Sequence, residues 1–356
     1  MKKKITTFLL SANILFAFSC NNNGEQMSDD SHNESKVPNV EIIEKKDEKR
    51  IDVEMGGELF TSYIYPEDIA KPVLYPLVTK TGKVLTRGFP LMPKEGERVD
   101  HPHHVGLWFN YGDVNGLDFW NNSEAIPEEK KEHYGTIVHT GIEEVKDNQF
   151  TATMEWRAPD GTVLLDENTI FRFSENEKGR YIDRITTLKT RDEEVSFNDN
   201  KEGMIGVRVT RALELPSDSP AIFTDAQGNP TTVEKLDNSK VKGDYLSSEG
   251  ITGGEVWGTR ADWMQLHSEI EGDPVSITIM DHPDNVGYPT FWHARGYGLF
   301  AANPLGQKVF SDGDMELNFK MNPQESVTFK HRIIIHSGSK LGEDDINLIY
   351  KEFTGK

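Results

Sequence analysis

The chain has 356 residues, with 59 acidic against 39 basic side chains and a formal net charge of −20 when histidine is neutral. That balance opposes general binding to nucleic-acid phosphates, although a few local Arg, Lys and His side chains can still make one cleft receptive to a small anion. A single cysteine near the start excludes a disulfide framework and a cysteine-ligated zinc site from the rest of the chain.

Lys2, Lys3 and Lys4 precede an apolar run from Ile5 to about Phe18, which ends at Ser19-Cys20 and gives way to Asn21-Asn22-Asn23. This is the layout of a secretory signal, with an apolar segment short for a membrane span. Cys20 follows a small residue where a bacterial lipoprotein takes its lipid. Residues 1–20 are therefore expected to be a lipoprotein signal peptide, with Cys20 lipidated and the outer membrane touched only through that anchor. Residues 21–50, rich in Asn, Ser, Glu, Asp and Lys, read as a flexible tether. No long apolar run or Pro/Gly/Ser linker divides residues 51–356, which are expected to form one domain.

From there the pattern is β. Phe150 to Arg157 and Val163 to Phe173 alternate apolar and polar residues, the period that buries one face of a sheet. Tyr181 to Leu188, Met204 to Leu215, Val275 to Met280, Met315 to Met321 and Ser326 to His336 are further strand candidates. Turn signals separate them at Pro159-Asp160-Gly161, Gln227 to Pro230 and Asp312-Gly313-Asp314. A short helix is expected near Ile126 to Glu132. Another is expected over Glu343 to Phe353, where Ile346, Ile349 and Tyr350 make one stripe. The expected fold class is all-β, a large two-sheet antiparallel β-sandwich with few short helices.

The densest chemistry lies in Asp100-His101-Pro102-His103-His104, followed by Gly106-Leu107-Trp108, Asp113-Val114-Asn115-Gly116 and Phe119-Trp120. Imidazoles transfer protons near neutral pH and ligate metals, so three within four positions point to a site. A second cluster holds Asp281-His282-Pro283 and Trp292-His293-Ala294-Arg295, then Tyr297 to Phe300 and Asn303. The Asp-His-Pro triplet recurs in both, which suggests two similar loops meeting across one cleft.

Between them lie Tyr134, His139, Lys201-Glu202-Gly203 and Arg208. Glu202 could be a base, a partner orienting a histidine, or ordinary surface; Arg208 could be a ligand or a solvated charge. Trp108, Trp120 and Trp292 are candidate stacking platforms for sugar rings, whereas Trp156 reads as core. No phosphate loop, nucleophile elbow or His-Glu-x-x-His helix is present. A metal on His101, His103 and a third ligand such as His293 is conceivable, but the spacing is generic, and no cofactor or metal is expected.

On these motifs the chain resembles the bacterial family labelled PmoA-like, with a match from about Tyr63 to Gly338. The resemblance implies a secreted or lipid-anchored β-sandwich of polysaccharide-degrading bacteria, similar to the supersandwich of aldose mutarotases and of some polysaccharide-lyase domains. It directs the substrate toward carbohydrate without fixing the reaction.

The main expectation is a dehydratase or lyase that performs β-elimination on an anionic, uronate-containing oligosaccharide. His104 or His293 would be the base, Tyr134 or His139 the acid, and Arg208 and Arg295 the carboxylate clamps. His101, His103, Trp108, Asp113, Asn115, Trp120, Glu202, His282, Trp292 and Asn303 would contact substrate. An aldose mutarotase-like epimerase and a non-catalytic glycan-binding lipoprotein are the alternatives.

Overall fold

The computed structural model describes residues 40–356. The expected signal peptide, Cys20 and most of the expected tether lie outside the described residues. Two eight-stranded antiparallel sheets make up the body of the fold. The first runs, in spatial order, through Val40–Lys45, Arg50–Met55, Glu58–Ile64, Val73–Leu74, Leu107–Tyr111, Gly203–Arg208, Leu299–Asn303 and Phe291–Ala294. The second runs through Asp244–Ser247, Trp263–Ile270, Asp273–Asp281, Ser326–Ser337, Gly179–Thr190, Val163–Asn176, Gln149–Arg157 and Thr136–Lys146.

The sheets pack face to face because each carries apolar side chains at alternate positions. Ile51, Phe60, Phe109 and Val207 of the first sheet share one core with Trp156, Phe171, Ile182, Ile277 and Ile333 of the second. Aromatic edges interlock across the layer, Phe60 against Phe173 and Phe109 against Phe329. The fold class is the one expected from sequence.

Three boundaries differ. Val40–Lys45 pairs with Arg50–Met55, so the domain begins inside the stretch read as tether. Val40 and Ile42 pack on the core, and Lys45 and Arg50 both pair with Asp52. A hairpin with so charged a turn imitates a polar linker. The strand expected from Met204 to Leu215 ends at Arg208, and that from Met315 to Met321 shrinks to Phe319–Met321. The helix expected near Ile126 is a 3-10 turn, Glu128–His133, whereas the C-terminal helix Glu343–Thr354 buries Ile346, Ile349 and Tyr350 as its pattern requires. Among the described residues no helix is long and apolar enough to cross a membrane.

The first sheet also covers a smaller apolar cluster on its outer side, formed by Val73, Tyr75, Val105, Trp108, Trp120, Leu299 and Ala301. Strand alternation puts it there. Leu107 and Phe109 face the main core while Trp108 faces outward, and Trp292 and Ala294 face the core while His293 faces outward. Gly206 lies opposite Trp108, and a Cβ there would come within 2.8 Å of that indole. The absent side chain leaves room for both outward tryptophans, Trp108 and Trp120, which meet edge to face.

Candidate active site

On that outer face the 100–106 loop is folded around one buried guanidinium. Arg87, 2 % exposed, donates to the carbonyls of Arg98, Asp100, His101 and His104 and to Asp100 Oδ1 at 2.6 Å. His101 takes a left-handed backbone, φ 43°, and the His104 amide returns to the His101 carbonyl at 2.9 Å. Gly106 closes the loop at φ 57°, where a Cβ would meet the Leu74 carbonyl oxygen at 2.3 Å. Sequence and packing thus present three imidazoles from one tight turn.

The turn delivers them to a hollow of about 550 Å³ lined by His101, His103, His104, Asn121, Asn200, Lys201, Glu202, His293, Arg295 and Tyr297. Behind it lies an excess of positive charge. Asp100 Oδ1 accepts from both Arg87 and Arg208, at 2.6 and 2.5 Å, so one carboxylate serves two buried guanidiniums. Burial alone would raise the Asp100 pKa; His101, Arg208 and Arg87 hold it below the usual carboxylate range.

Burial, reinforced by neighbouring charge, keeps His103, His104 and His293 neutral. Burial and then Lys71 push His103 down to about 2, and burial and then His103 and Arg208 hold His104 well below its ordinary value. Burial and then Arg295 push His293 down to about 3. Neutrality has a consequence for His104, whose Nδ1 lies 3.2 Å from Arg208 Nη1. A guanidinium only donates, so Nδ1 accepts and the ring proton sits on Nε2, which is buried and has no partner. His104, which lines the hollow, thus holds a ring N–H that meets no acceptor among the described residues.

His293 has the opposite polarity. The Lys201 backbone beside its ring favours the protonated form, but burial and Arg295 outweigh it. Nδ1 makes no hydrogen bond and lies 3.7 Å from Glu202 Oε2. With the ring proton on Nε2, that nitrogen carries a lone pair and faces the Glu202 carboxylate as a second acceptor. Glu202 Oε1 is steadied by Lys201 at 2.9 Å.

Tyr297 stacks parallel on His101, their centroids 5.2 Å apart, and lies 4.9 Å from the Arg208 guanidinium carbon. Burial raises its pKa and keeps the phenol protonated. Arg295 lies 4.5 Å over the Trp257 ring, which positions its guanidinium without neutralising it. Among the described residues no set of three or more His, Cys, Asp or Glu side chains is arranged to hold a metal ion.

Of the residues singled out in the sequence, His101, His103, His104, Glu202, His293 and Arg295 meet in this hollow. Arg208 is neither solvated nor in contact with it: fully buried, it acts through His104 and Asp100. Trp108, Trp120 and Trp292 are 0 % exposed and cannot stack on a sugar: alternation turns Trp108 into the outer cluster, where Trp120 packs edge-on against it, and Trp292 between the sheets.

Tyr134 lines a separate hollow. His139 lies on the edge strand of the second sheet, stacked on Tyr65 and 3.1 Å from the Tyr63 hydroxyl. His282 packs on Phe353 and accepts the Asp284 amide, so the two Asp-His-Pro loops do not meet. Asp113 and Asn115 spend their oxygens on the amides of Gly116 and Ser196. Asn303, fully buried, donates to the Asn200 carbonyl and holds the loop that carries Lys201 and Glu202. The motif reading passes over Asp100 and Tyr297, which sit inside quoted motifs, and over Arg87, whose surroundings in sequence give no signal.

The geometry defines a pocket lined by imidazole, carboxylate and guanidinium groups on the outer face of a two-sheet β-sandwich. The chain belongs to a family of unknown function, DUF6807, whose model matches residues 50–350. No curated protein matches it in sequence.

Among solved structures it is similar to the galactose mutarotase-related enzyme of Lactobacillus acidophilus, at 9% identity, with 85% of this chain and 100% of that one covered and a TM-score of 0.35. A galactose mutarotase-like protein of Lactobacillus casei gives 10% identity, 83% and 100% coverage and a TM-score of 0.37. The α-galactosidase AgaA of Geobacillus stearothermophilus gives 10% identity, 88% and 42% coverage and 0.39. The chain spans about two fifths of the length of that galactosidase, and no reaction follows for this chain from likenesses so distant.

Proposed function

We propose that the protein is a carbohydrate-active enzyme that abstracts a proton beside a sugar carboxylate and eliminates the neighbouring oxygen. The observation that carries the reading is a pair of unpartnered imidazole nitrogens on side chains that line one hollow, His104 Nε2 and, beside Glu202 Oε2, His293 Nδ1. Arg295 and His104 would hold a uronate carboxylate, whose oxygens take up charge as the C5–H bond breaks. The His293–Glu202 pair receives that proton. The C5 electron pair forms the C4=C5 bond, the C4–O bond breaks, and the Tyr297 phenol gives its proton to the departing oxygen. Tyr297 replaces Tyr134 and His139, neither of which lines the hollow.

A second reading, interconversion of aldose anomers, is favoured by the His293–Glu202 pair itself, since that reaction needs one group to take a proton and one to return it. Incubation with uronate-containing oligosaccharides distinguishes the two. Elimination yields an unsaturated, ultraviolet-absorbing product, lighter by one water when water leaves. Anomer exchange changes only the anomeric proton signals in NMR. Unchanged sugar in both measurements refutes both readings.

A further inference from the structure

The hollow does not end at the imidazoles. His103 also lines a second hollow of about 290 Å³, and Asn121 of the first is followed directly by Asn122 of the second. Asn122, Ser123 and Glu124 in turn line a third, of about 550 Å³, which extends to Tyr134. Shared walls make the three consecutive along one loop. That loop is fixed, because Asn122 Nδ2 donates to the Gly135 carbonyl at 2.8 Å and to Thr136 Oγ1 at 3.1 Å. Volumes of this order are those of small-ligand sites, about 300–1,000 Å³.

Charge reverses along the row. The first hollow carries Lys201 and Arg295 against Glu202 and is backed by the Arg87–Arg208 excess. The third presents Glu67, Glu124, Glu128 and Glu132 with Lys131 the one basic side chain in its lining; Lys131 is paired with Glu128 at 2.8 Å and Glu67 with Lys49 at 2.5 Å, which leaves Glu124 and Glu132 in excess. An anionic unit fits the first hollow and is repelled by the third.

Resting on the carbohydrate reading above, we propose that the three hollows are successive subsites for one oligosaccharide of at least three units, acidic at the His104 end and uncharged at the Tyr134 end. Tyr134 then has a role remote from the chemistry, as a wall for the distal unit.

Calorimetric titration of the full chain tests this with three sugars: a free uronate, a trisaccharide with one terminal uronate, and an all-uronate trisaccharide. The mono-uronate trisaccharide is expected to bind at least tenfold tighter than either of the others. Ser123→Trp, at the rim shared by the second and third hollows, is expected to remove that gain. Glu124→Lys, on an exposed side chain, is expected to narrow the preference over the all-uronate sugar and serves if Ser123→Trp does not fold. Equal affinity for free uronate and trisaccharide overturns the proposal, as does a gain that survives these substitutions. A length-dependent gain without any change in the sugar supports the subsites and refutes the elimination. Turnover with no dependence on length does the reverse.

Discussion

Acidification from pH 7 to pH 5 is expected to remove about 4 kcal/mol or more of folding stability. His104, His293 and His331 are 2 %, 2 % and 1 % exposed. Burial, reinforced by cationic neighbours, holds all three below their ordinary value, His293 and His331 at about 3. In the unfolded chain each takes up a proton as the pH falls through about 6.5, whereas the folded rings stay neutral. The unfolded state therefore binds more protons across this window, and stability is lost as pH falls from about 6.5 toward the folded values.

Each ring accounts for about 2 kcal/mol between pH 7 and pH 5. Asp281 acts with the opposite sign. Burial raises it to about 7, so the fold takes up that proton first and recovers about 2 kcal/mol over the same interval, while His103 and Lys71, lowered by burial to about 2 and about 7, both bind fewer protons than in the unfolded chain and add to the loss. The net loss is a large part of the roughly 5–15 kcal/mol typical of a folded domain. Urea unfolding followed by tryptophan fluorescence at pH 7, 6 and 5 measures it, and His293→Gln is expected to flatten the dependence by about one ring's share. Equal midpoints and slopes at pH 7 and pH 5 would refute the neutrality of these rings and, with it, the donor assignment of His104.

Nitrogen-15 NMR of the imidazoles should show His104 protonated on Nε2, and Arg208→Met should release that preference; a His104 protonated on Nδ1 in the unaltered protein overturns the tautomer argument. Arg295→Gln is expected to raise KM for an acidic sugar about 30-fold, the loss of one charge-assisted contact of about 2 kcal/mol, while a neutral sugar is affected little. A uniform effect on both sugars would count against a carboxylate clamp. Gly106→Ala, forced into a left-handed backbone and against the Leu74 carbonyl, should cost about 3 kcal/mol in urea unfolding. An unaltered midpoint would show that the histidine turn tolerates another geometry.

The sequence alone determined the architecture, because strand period and turn chemistry are local. The alternation in Val163–Asn176 and Gln149–Arg157 fixes which side chains face the core, whatever the distant partner. It also located the site: three imidazoles in four positions and a later Trp-His-Ala-Arg mark two places that meet in the hollow. It could not decide burial or polarity. Trp108, Trp120 and Trp292 read equally well as platforms or as core; the choice rests on which face of a long-range strand pair Trp108 and Trp292 occupy, and for Trp120 on its packing against Trp108. Arg208 looks like any strand-borne charge until His104 and Asp100 arrive from a hundred residues away. Proton position is decided at the same level: an imidazole's pKa and tautomer are set by neighbours in space, and those neighbours are supplied only by tertiary structure.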